Sequence, residues 1–405
     1  MNITRLSWRN LVSNPLNTTL SLLLMTLGVG IISLLLLLNN EVEQQLDRNL
    51  KGIDMVVGAK GSPLQLILSS VYHIDNPTGN ISLAEVNKLK KNRMVKSTIP
   101  LSFGDSYKGY RIVGTTHDYL NLYEAELKEG NRWSQSLEAV VGSTVAELHN
   151  LQIGDSFYGS HGLVEGGAVH DHHAYQVVGI LKPSGSVLDK LILTNSESVW
   201  DVHSKGGCSH EHEDGSSCQH GQEEDLQITA ALVQFKSPVG LIQLPRKVNE
   251  TTKLQAAVPV FEVNRLMSLM GVGMQSIQLI AIIIMIVSGL SIFISLYNSL
   301  KRRRYELALM RVHGASRWQL VQLVLQESLL LSLFGTLFGL LVSRGSMWLF
   351  AQFLGKQYSI SNIPLHFITE ELWLFPIALL IGLLAALIPT IQTYKMDIPK
   401  ILADA

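Results

Sequence analysis

The sequence contains little charge and lacks the short motifs by which many enzymes and metal proteins are recognised. Its 405 residues carry 32 Lys and Arg against 33 Asp and Glu, a formal net charge of -1, so bulk charge gives no reason to expect a nucleic-acid partner. No CxxC pair, HExxH helix or EF-hand loop occurs. The Gly-rich stretch GAKGSPL at 58–64 lacks the spacing and the Lys-Ser/Thr pair of a Walker A loop. The sequence therefore predicts no nucleotide chemistry in this chain.

The chain does have long apolar runs. Its hydrophobic residues, 47% of the total, are concentrated in four blocks. A helix needs ~20 apolar residues to span a bilayer, and the blocks at 16–38, 274–300, 320–342 and 372–391 meet that length. The first block could be a cleaved signal peptide, but its apolar core is long and the following NNEVEQQ offers no small-residue cleavage site. The sequence predicts an α-helical membrane protein with four transmembrane helices.

The positions of the cations predict the orientation of these helices. Arg5 and Arg9 precede the first helix without any acid, and six Lys and Arg residues lie in the loop 301–319. Because cytoplasmic loops are enriched in cations, both ends are predicted to be cytoplasmic. The remaining segments then follow: a cytoplasmic amphipathic helix at 1–15, an external domain at 39–273, a short external loop at 343–371 and a cytoplasmic tail at 392–405.

The membrane blocks hold few ionisable residues, which argues against an ion channel or pump. Glu327 is the one acid deep within the third block. Intramembrane carboxylates are often functional, but this one lies within two turns of the cytoplasmic end. Snorkelling, or a partner on a neighbouring helix, would account for it.

The external segment alternates short β-like runs with Gly, Asp and Pro, which predicts an α+β domain between the first two membrane helices. The predicted strands are STIPLSFG, YRIVGTT, EAVVGSTVA, LQIGDSFYG, YQVVGILK, LILTNSESVW and ITAALVQFK, and the predicted short helices are LAEVNKLKK and STVAELHNL. Apolar residues at helical spacing predict a stalk after the first membrane helix, through Val42, Leu46, Leu50 and Ile53, and a second stalk at 253–276. The apolar segment 58–82 is interpreted as a surface for a hydrophobic substrate or a second protomer, with a buried helix or strand as the alternative.

Eight of the 13 histidines fall in two insertions of this domain, at 161–173 and 203–220. Imidazole and thiolate are good ligands for zinc and other transition metals, although the spacing specifies no cage. The candidate ligands are His170, His172, His173, His203, Cys208, His210, His212, Cys218 and His220. A solvated loop with incidental metal affinity is an equally good account, and Cys208 and Cys218 could instead form a disulfide. If these residues bind a metal, they could capture a metal-linked cargo, sense zinc, or recruit a metal-bearing partner.

Several segments carry a family likeness. SWRNLVSNPLNTTLSLLLMTLGVGI at 7–31, the loop that begins RRRYELALMRVHGASRW at 302, and the ending ALIPTIQTYKMDIPKILADA resemble the type VII ABC transporter permeases, the superfamily of MacB, LolC, LolE and FtsX. The loop is similar to that family's TREIGIRKALGASRRDI pattern. AVVGSTVAELHNLQIGDSF and YQVVGILKPSGSVLDKLILTNSESVW resemble its external domain.

The resemblance implies a non-catalytic subunit of the bacterial inner membrane with its large domain in the periplasm. Such a permease forms a dimer, binds a separate cytoplasmic ATPase that holds ATP and Mg²⁺, and transmits ATP-driven motion outward. It would export or extract a lipophilic, peptide, lipoprotein or metal-linked cargo, with membrane lipid and a periplasmic adaptor, lipoprotein or metal-binding protein as further partners. The alternatives are an extracytoplasmic metal sensor or receptor, or a regulator of a cell-envelope partner. A metalloenzyme has less support, because no general base stands beside a defined ligand set.

The loop at 301–319 carries the most specific part of the likeness. The resemblance implies that the ATPase-coupling residues are Glu306, Leu307, Met310, Arg311, Gly314, Ala315 and Ser316. The residues themselves predict an amphipathic helix that ends at a left-handed Gly314, with Ser316 capping the next helix. An ordinary helical hairpin whose cations only fix topology is the alternative.

Overall fold

A computed structural model describes residues 3–13, 15–161, 169–203, 226–358 and 368–396. The chain divides into two units. The first, which we call the membrane unit, comprises Met1–Val42, Leu269–Gly355 and Ile360–Ala405. The second, the α/β unit, comprises Glu43–Ser268 with Lys356–Ser359.

The helices, in chain order, are α1 Ile3–Ser13, α2 Pro15–Leu50, α3 Pro63–Ser70, α4 Leu83–Lys90, α5 His117–Leu122, α6 Ser143–His149, α7 Ser196–His203, α8 Val239–Thr251, α9 Pro259–Arg302, α10 Arg304–Val312, α11 Arg317–Tyr358 and α12 Leu374–Tyr394. The strands are β1 Met55–Ala59, β2 Ile81–Ser82, β3 Val95–Tyr107, β4 Tyr110–Thr115, β5 Leu127–Gly130, β6 Glu138–Val141, β7 Ser156–His161, β8 Val169–Leu181, β9 Ile192–Asn195, β10 Gln227–Ile228, β11 Ala230–Phe235 and β12 Leu254–Ala257. Short 3-10 turns occupy Val187–Lys190 and Thr369–Trp373.

Four helical segments of the described chain are long and apolar enough to cross a membrane, and each contains one predicted block. They are Pro15–Leu50, Pro259–Arg302, Arg317–Phe350 and Thr369–Tyr394. Because no water reaches the bilayer core, a helix that satisfies its own backbone hydrogen bonds is the stable form for such segments. The helices are longer than the blocks, since their ends also carry polar residues that the apolar runs exclude.

Small residues let the membrane helices approach closely. A Cβ atom on Gly30 of α2 would lie 3.2 Å from the carbonyl oxygen of Gly339 in α11. A Cβ atom on Gly28 would lie 3.3 Å from Cα of Met285 in α9. Close backbone approach through small residues is a main source of helix association in membranes, so these glycines place α2 between α9 and α11.

A buried ion pair lies where the sequence predicted an external loop at 343–371. Arg344 donates to both carboxylate oxygens of Glu371, at 2.6 and 2.5 Å, and Ser33 of α2 donates to the same carboxylate. Glu371 has no exposed surface, and Met347 on the next turn of α11 is buried. α11 continues to Tyr358, so the predicted external segment 343–371 begins within this helix, and its position outside the membrane stays a prediction.

The α/β unit is built on a mixed ten-stranded sheet in the order β12-β1-β11-β3-β4-β9-β6-β8-β5, with β7 pairing with β3 and β8. The pairs β4–β9 and β6–β8 are parallel and the others antiparallel. β1 and β12 are neighbours, with Val56 opposite Ala257. Apolar side chains cover both faces of this part of the sheet: Val56 and Leu232 belong to one core, Met55 and Val233 to another.

Most of the predicted elements of this unit are confirmed. α2 continues through Leu46 and Leu50 as the stalk pattern predicted, but it ends before Ile53, which packs in the core of this unit. Both predicted short helices form, as α4 and α6. The second stalk is wrong at its start: Leu254–Ala257 is a strand paired with β1, and the helix begins at Pro259. Proline suits the first turn of a helix because it has no N–H to leave unsatisfied.

Two other stretches differ from their predicted structure. In LILTNSESVW only Ile192–Asn195 is a strand, because the Asn195 side chain accepts from the Ser198 N–H at 2.9 Å and caps α7. The apolar segment 58–82 contains the helix α3, whose Leu66 and Ile67 are buried in the core. Its interpretation as a contact surface is therefore wrong for these residues, and the buried-helix alternative is correct.

Candidate functional site

The loop between α9 and α11 folds as a helix, a tight turn and a second helix. α10 ends in a Schellman motif, with Gly314 N–H donating to Arg311 C=O at 3.1 Å and Ala315 N–H to Met310 C=O at 3.0 Å. Gly314 has φ of 96°, a left-handed conformation that costs residues with a side chain. The predicted left-handed C-cap is confirmed.

The next helix begins with a capping box. Gln319 N–H donates to Ser316 Oγ at 3.2 Å, and Ser316 N–H donates to Gln319 Oε1 at 2.8 Å. Arg311 reaches across the turn and donates to Ala315 C=O at 2.7 Å. The two caps and the arginine hold the turn in one shape using only residues of the loop.

The two faces of α10 have different surroundings. Leu307 is buried and forms a small core with Leu320 and Leu323 of α11, against which Met310 packs. The opposite face of α10 presents three large apolar side chains, Tyr305, Leu309 and Val312, and Trp318 at the start of α11 is exposed as well. The four side chains are 42–68% exposed. Tyr305, Leu309 and Val312 are spaced four and three residues apart, so they share one helical face. We call the segment 301–319 the coupling loop, after the role that the resemblance implies for it. The four exposed residues are called the exposed face of the coupling loop.

The coupling residues implied by the sequence therefore occupy different environments. Leu307 and Met310 pack inward, Arg311 and Ala315 bond to each other, and Glu306 is exposed and pairs with Arg303 at 3.0 Å. The exposed face was missed by the sequence reasoning. Its i, i+4, i+7 spacing is readable, but apolar residues lie on both sides of α10, so the pattern does not tell which side is buried.

Glu327 lies at the junction of three helices rather than reaching out to solvent. Its carboxylate accepts a hydrogen bond from Asn10 of α1 and lies 3.8 Å from Arg303 Nη1, and it is 5% exposed. Arg303 also pairs with Glu306 of α10. Of the two accounts given by the sequence, the partner on a neighbouring helix is correct. Glu327 thus ties α1 and the base of the coupling loop to α11.

Glu327→Gln tests this junction. The neutral amide still offers an oxygen to Asn10 but loses the charge that faces Arg303, so we expect a loss of about 1–2 kcal/mol with the protein still folded. The apparent thermal midpoint of the purified protein would report it. Glu147→Gln, at an exposed position on α6, is a control that should change nothing. An equal midpoint for wild type and Glu327→Gln would contradict the proposed junction.

Gly314→Val tests the turn itself. A β-branched residue is strained at this positive φ, so we expect the turn to open. If the loop binds an ATPase, as the resemblance implies, that binding should weaken about tenfold. Gly345→Val is a matched control, because a Cβ atom there meets nothing within 4 Å and no positive φ is recorded. The affinity for the ATPase is the quantity to measure, and unchanged binding by Gly314→Val would contradict a role for the turn.

The candidate metal ligands are only partly within the described residues. His170 and His172 lie on β8 and His203 ends α7, and His173 is partly buried. Cys208, His210, His212, Cys218 and His220 lie outside the described residues. In the described ranges, no three His, Cys, Asp or Glu side chains stand close enough to hold a metal ion.

The chain matches two family models. Residues 18–233 match the MacB-like periplasmic core domain, and residues 279–398 match the FtsX-like permease C-terminal region. The first match runs from α2 into β11, and the second runs from within α9 through α11 and α12. No curated protein matches the chain.

Two solved structures are similar to part of the chain. One is the periplasmic region of MacB from Actinobacillus actinomycetemcomitans, at 13% identity and a TM-score of 0.34, covering 55% of this chain and 98% of that one. The other is the extracellular domain of the noncanonic ABC-type transporter YknZ from Gram-positive bacteria, at 13% identity and a TM-score of 0.31, covering 50% of this chain and 98% of that one.

Proposed function

The chain belongs to the family of MacB- and FtsX-like ABC transporter permeases, and on that premise we propose that it couples ATP hydrolysis by a separate cytoplasmic ATPase to conformational work outside the membrane. It is a multi-pass inner-membrane protein with a periplasmic domain. In this family the permease subunit is generally non-catalytic, and ATP and Mg²⁺ belong to the ATPase.

The observation that carries the proposal is the exposed face of the coupling loop. It presents four large apolar side chains next to the charged Glu306, on a turn whose shape its own caps fix. Apolar and aromatic anchors ringed by polar groups are typical of protein interfaces. We therefore assign the ATPase contact to Tyr305, Leu309, Val312 and Trp318, and assign to Leu307 and Met310 the role of holding α10 against α11.

Motion would pass outward along two helices. α2 and α9 each contribute residues to both units without a break. An uninterrupted helix resists bending because every turn is hydrogen-bonded to the next. In the proposed mechanism, two permeases associate through their membrane units, ATP binding draws their coupling loops together, and α2 and α9 move the α/β units.

The proposed orientation of the protein in the membrane rests on the positions of its cations. Arg302, Arg303 and Arg304 stand at the coupling loop, so this end is placed in the cytoplasm together with both termini. The cargo is proposed to be lipophilic, a peptide, a lipoprotein or metal-linked, with a periplasmic adaptor or lipoprotein as a further partner. Membrane lipid would surround the exposed apolar faces of the four spanning segments.

Reconstitution tests the function. The chain is co-expressed with each candidate ABC ATPase found in a neighbouring reading frame, and the resulting complex is placed in lipid nanodiscs. We expect a stable complex whose ATP hydrolysis rate depends on the permease. A permease that leaves every neighbouring ATPase unbound would contradict the proposal.

A metal-linked role rests on composition alone and has its own test. Deleting 204–222 removes five of the candidate ligands. If they serve the transporter, we expect the deletion to abolish any difference in activity between added zinc and a chelator, while complex formation is unchanged. If wild-type activity is the same with zinc and with chelator, the metal hypothesis is wrong. The alternative of a sensor that does not use ATP is not favoured, since family membership points to an ABC system.

A further inference from the structure

The α/β unit contains a cavity of about 590 Å³. Its walls are the end of α2, the segment after α3, the turn between β3 and β4, and the 3-10 turn Val187–Lys190. All its lining residues belong to this unit. Cavities of a few hundred to about 1,000 Å³ commonly hold small molecules, so the volume suits a ligand of modest size.

The charged side chains that line the cavity are all cations, while the carboxylates of Asp75 and Asp189 act on Arg111 and Lys190 from outside the lining. Its lining includes Lys108, Arg111 and Lys190 and no carboxylate side chain. Burial lowers the pKa of Arg111 to about 10 and also lowers the pKa of Lys190. The Arg111 guanidinium nevertheless remains cationic at neutral pH. Since a buried charge is costly unless it is paired, the lining favours an anion and disfavours a metal cation.

Arg111 lines this cavity, and one of its hydrogen-bond donors is unused among the described residues. The residue is 5% exposed, its Nη2 donates to the backbone oxygen of Asp75 at 2.8 Å, and its guanidinium carbon lies 4.8 Å from the ring centre of Phe103. Its Nη1 is buried and, among the described residues, has no hydrogen-bond partner. Buried donors of native proteins are rarely left unpaired, so an acceptor from a ligand would complete this site.

His73 adds a second polar position to the same wall. Its Nε2 lies 2.9 Å from the Tyr119 hydroxyl, whereas its buried Nδ1 has no partner within the described part of the chain. Burial, with a smaller contribution from Arg111, lowers the pKa of His73 well below its usual value. The imidazole is therefore neutral and adds no competing charge. His73 also has a positive φ of 56°, which is uncommon for residues other than glycine.

The rest of the cavity wall is apolar. The large apolar side chains in the lining are Leu46, Tyr72, Ile74, Tyr110, Val187 and Leu191. A purely inorganic anion would leave this surface in water, and a purely apolar molecule would leave Arg111 Nη1 without an acceptor. We propose that the cavity binds an amphiphilic anion, with its acidic head group at Arg111 and its apolar body against Leu46, Ile74 and Leu191.

Octanoate is a suitable probe, because it joins an acidic head to an apolar chain. Its binding to the full-length protein in phosphatidylcholine nanodiscs can be measured by calorimetry, with empty nanodiscs subtracted. We expect saturable binding at least about tenfold tighter than that of octan-1-ol or acetate, since each lacks one of the two parts. Octyl phosphate in place of octanoate then identifies the head group: whichever binds more tightly carries the preferred acid.

Two variants locate the site. Arg111→Gln removes the cation and is expected to weaken octanoate binding at least about tenfold. Because Arg111 is buried and its loss could disturb the fold, Ile74→Asp provides an independent variant: Ile74 is 72% exposed, and an added carboxylate there repels the anion. We expect a loss of about fivefold or more. Ile242→Asp is the matched control, at a residue of α8 that is 79% exposed and outside the cavity.

Three results would overturn the proposal. They are an absence of saturable octanoate binding, equal affinity for octan-1-ol, and an equal loss of affinity in Ile74→Asp and Ile242→Asp. None of these measurements involves the ATPase, so the outcome is separate from that of the proposed transport function.

Discussion

Replacing Leu309 and Val312 together by aspartate is expected to weaken binding of the partner ATPase at least about 30-fold, while the permease remains folded and in the membrane. Leu309 is 42% and Val312 62% exposed on α10, so their replacement changes no fully buried core position. If they are anchors of the docking surface, each aspartate leaves an unpaired charge in a desolvated contact, and losses of 2 kcal/mol or more are typical of such positions. The affinity of the purified, reconstituted permease for the ATPase is the measurement.

A matched variant separates docking from a general effect of exposed charge. Val239 on α8 is 53% exposed, close to the 62% of Val312. Val239→Asp is therefore expected to bind the ATPase as the wild type does. Full ATPase affinity in the Leu309→Asp/Val312→Asp variant would show that the exposed face contacts something else, and lipid headgroups would then be its best-supported neighbour.

Arg344→Met is expected to destabilise the membrane unit by about 3–5 kcal/mol, because it leaves the fully buried Glu371 carboxylate without its cation. In a thermal unfolding experiment that follows tryptophan fluorescence, this should lower the apparent midpoint by roughly 10 °C. Arg265→Met is the control, at an exposed arginine of α9, and should leave the midpoint unchanged.

The double variant Arg344→Met/Glu371→Met tests whether the instability of Arg344→Met comes from the unpaired carboxylate. Replacing both members of a buried ion pair by apolar residues of similar size is often close to neutral. We therefore expect the double variant to regain most of the stability that Arg344→Met loses. A double variant as unstable as the sum of the two single variants would mean that the pair contributes little and that each side chain matters for other contacts.

Features that depend on neighbouring residues could be predicted from the sequence, and those that depend on distant ones could not. The apolar blocks gave the membrane helices directly, because span length is a local property. The coupling turn followed from Gly314 and Ser316, since Schellman motifs and capping boxes need only a few residues. The pairing of Arg344 with Glu371 joins residues 27 positions apart, and no periodic pattern in the sequence predicts it.

Strand assignment shows the same limit. Leu254–Ala257 is a strand because it pairs with β1, nearly 200 residues earlier in the chain, whereas its apolar spacing fitted the helix that follows. The cavity at Arg111 was also beyond sequence reasoning, because its walls come from four separated segments. The sequence did not show which face of α10 is buried. The contacts of Leu307 with Leu320 and Leu323 identify that face.

The pairing of β1 with β12 has a consequence for how such proteins diversify. The chain enters the sheet at β1 soon after α2 and leaves it at β12 just before α9, and these two strands are neighbours. A domain whose ends lie side by side can be exchanged by recombination at two junctions without rethreading the surrounding chain. The α/β unit is thus an interchangeable insertion, and replacing 53–258 with the corresponding segment of another permease should give a chimera that keeps its own coupling loop.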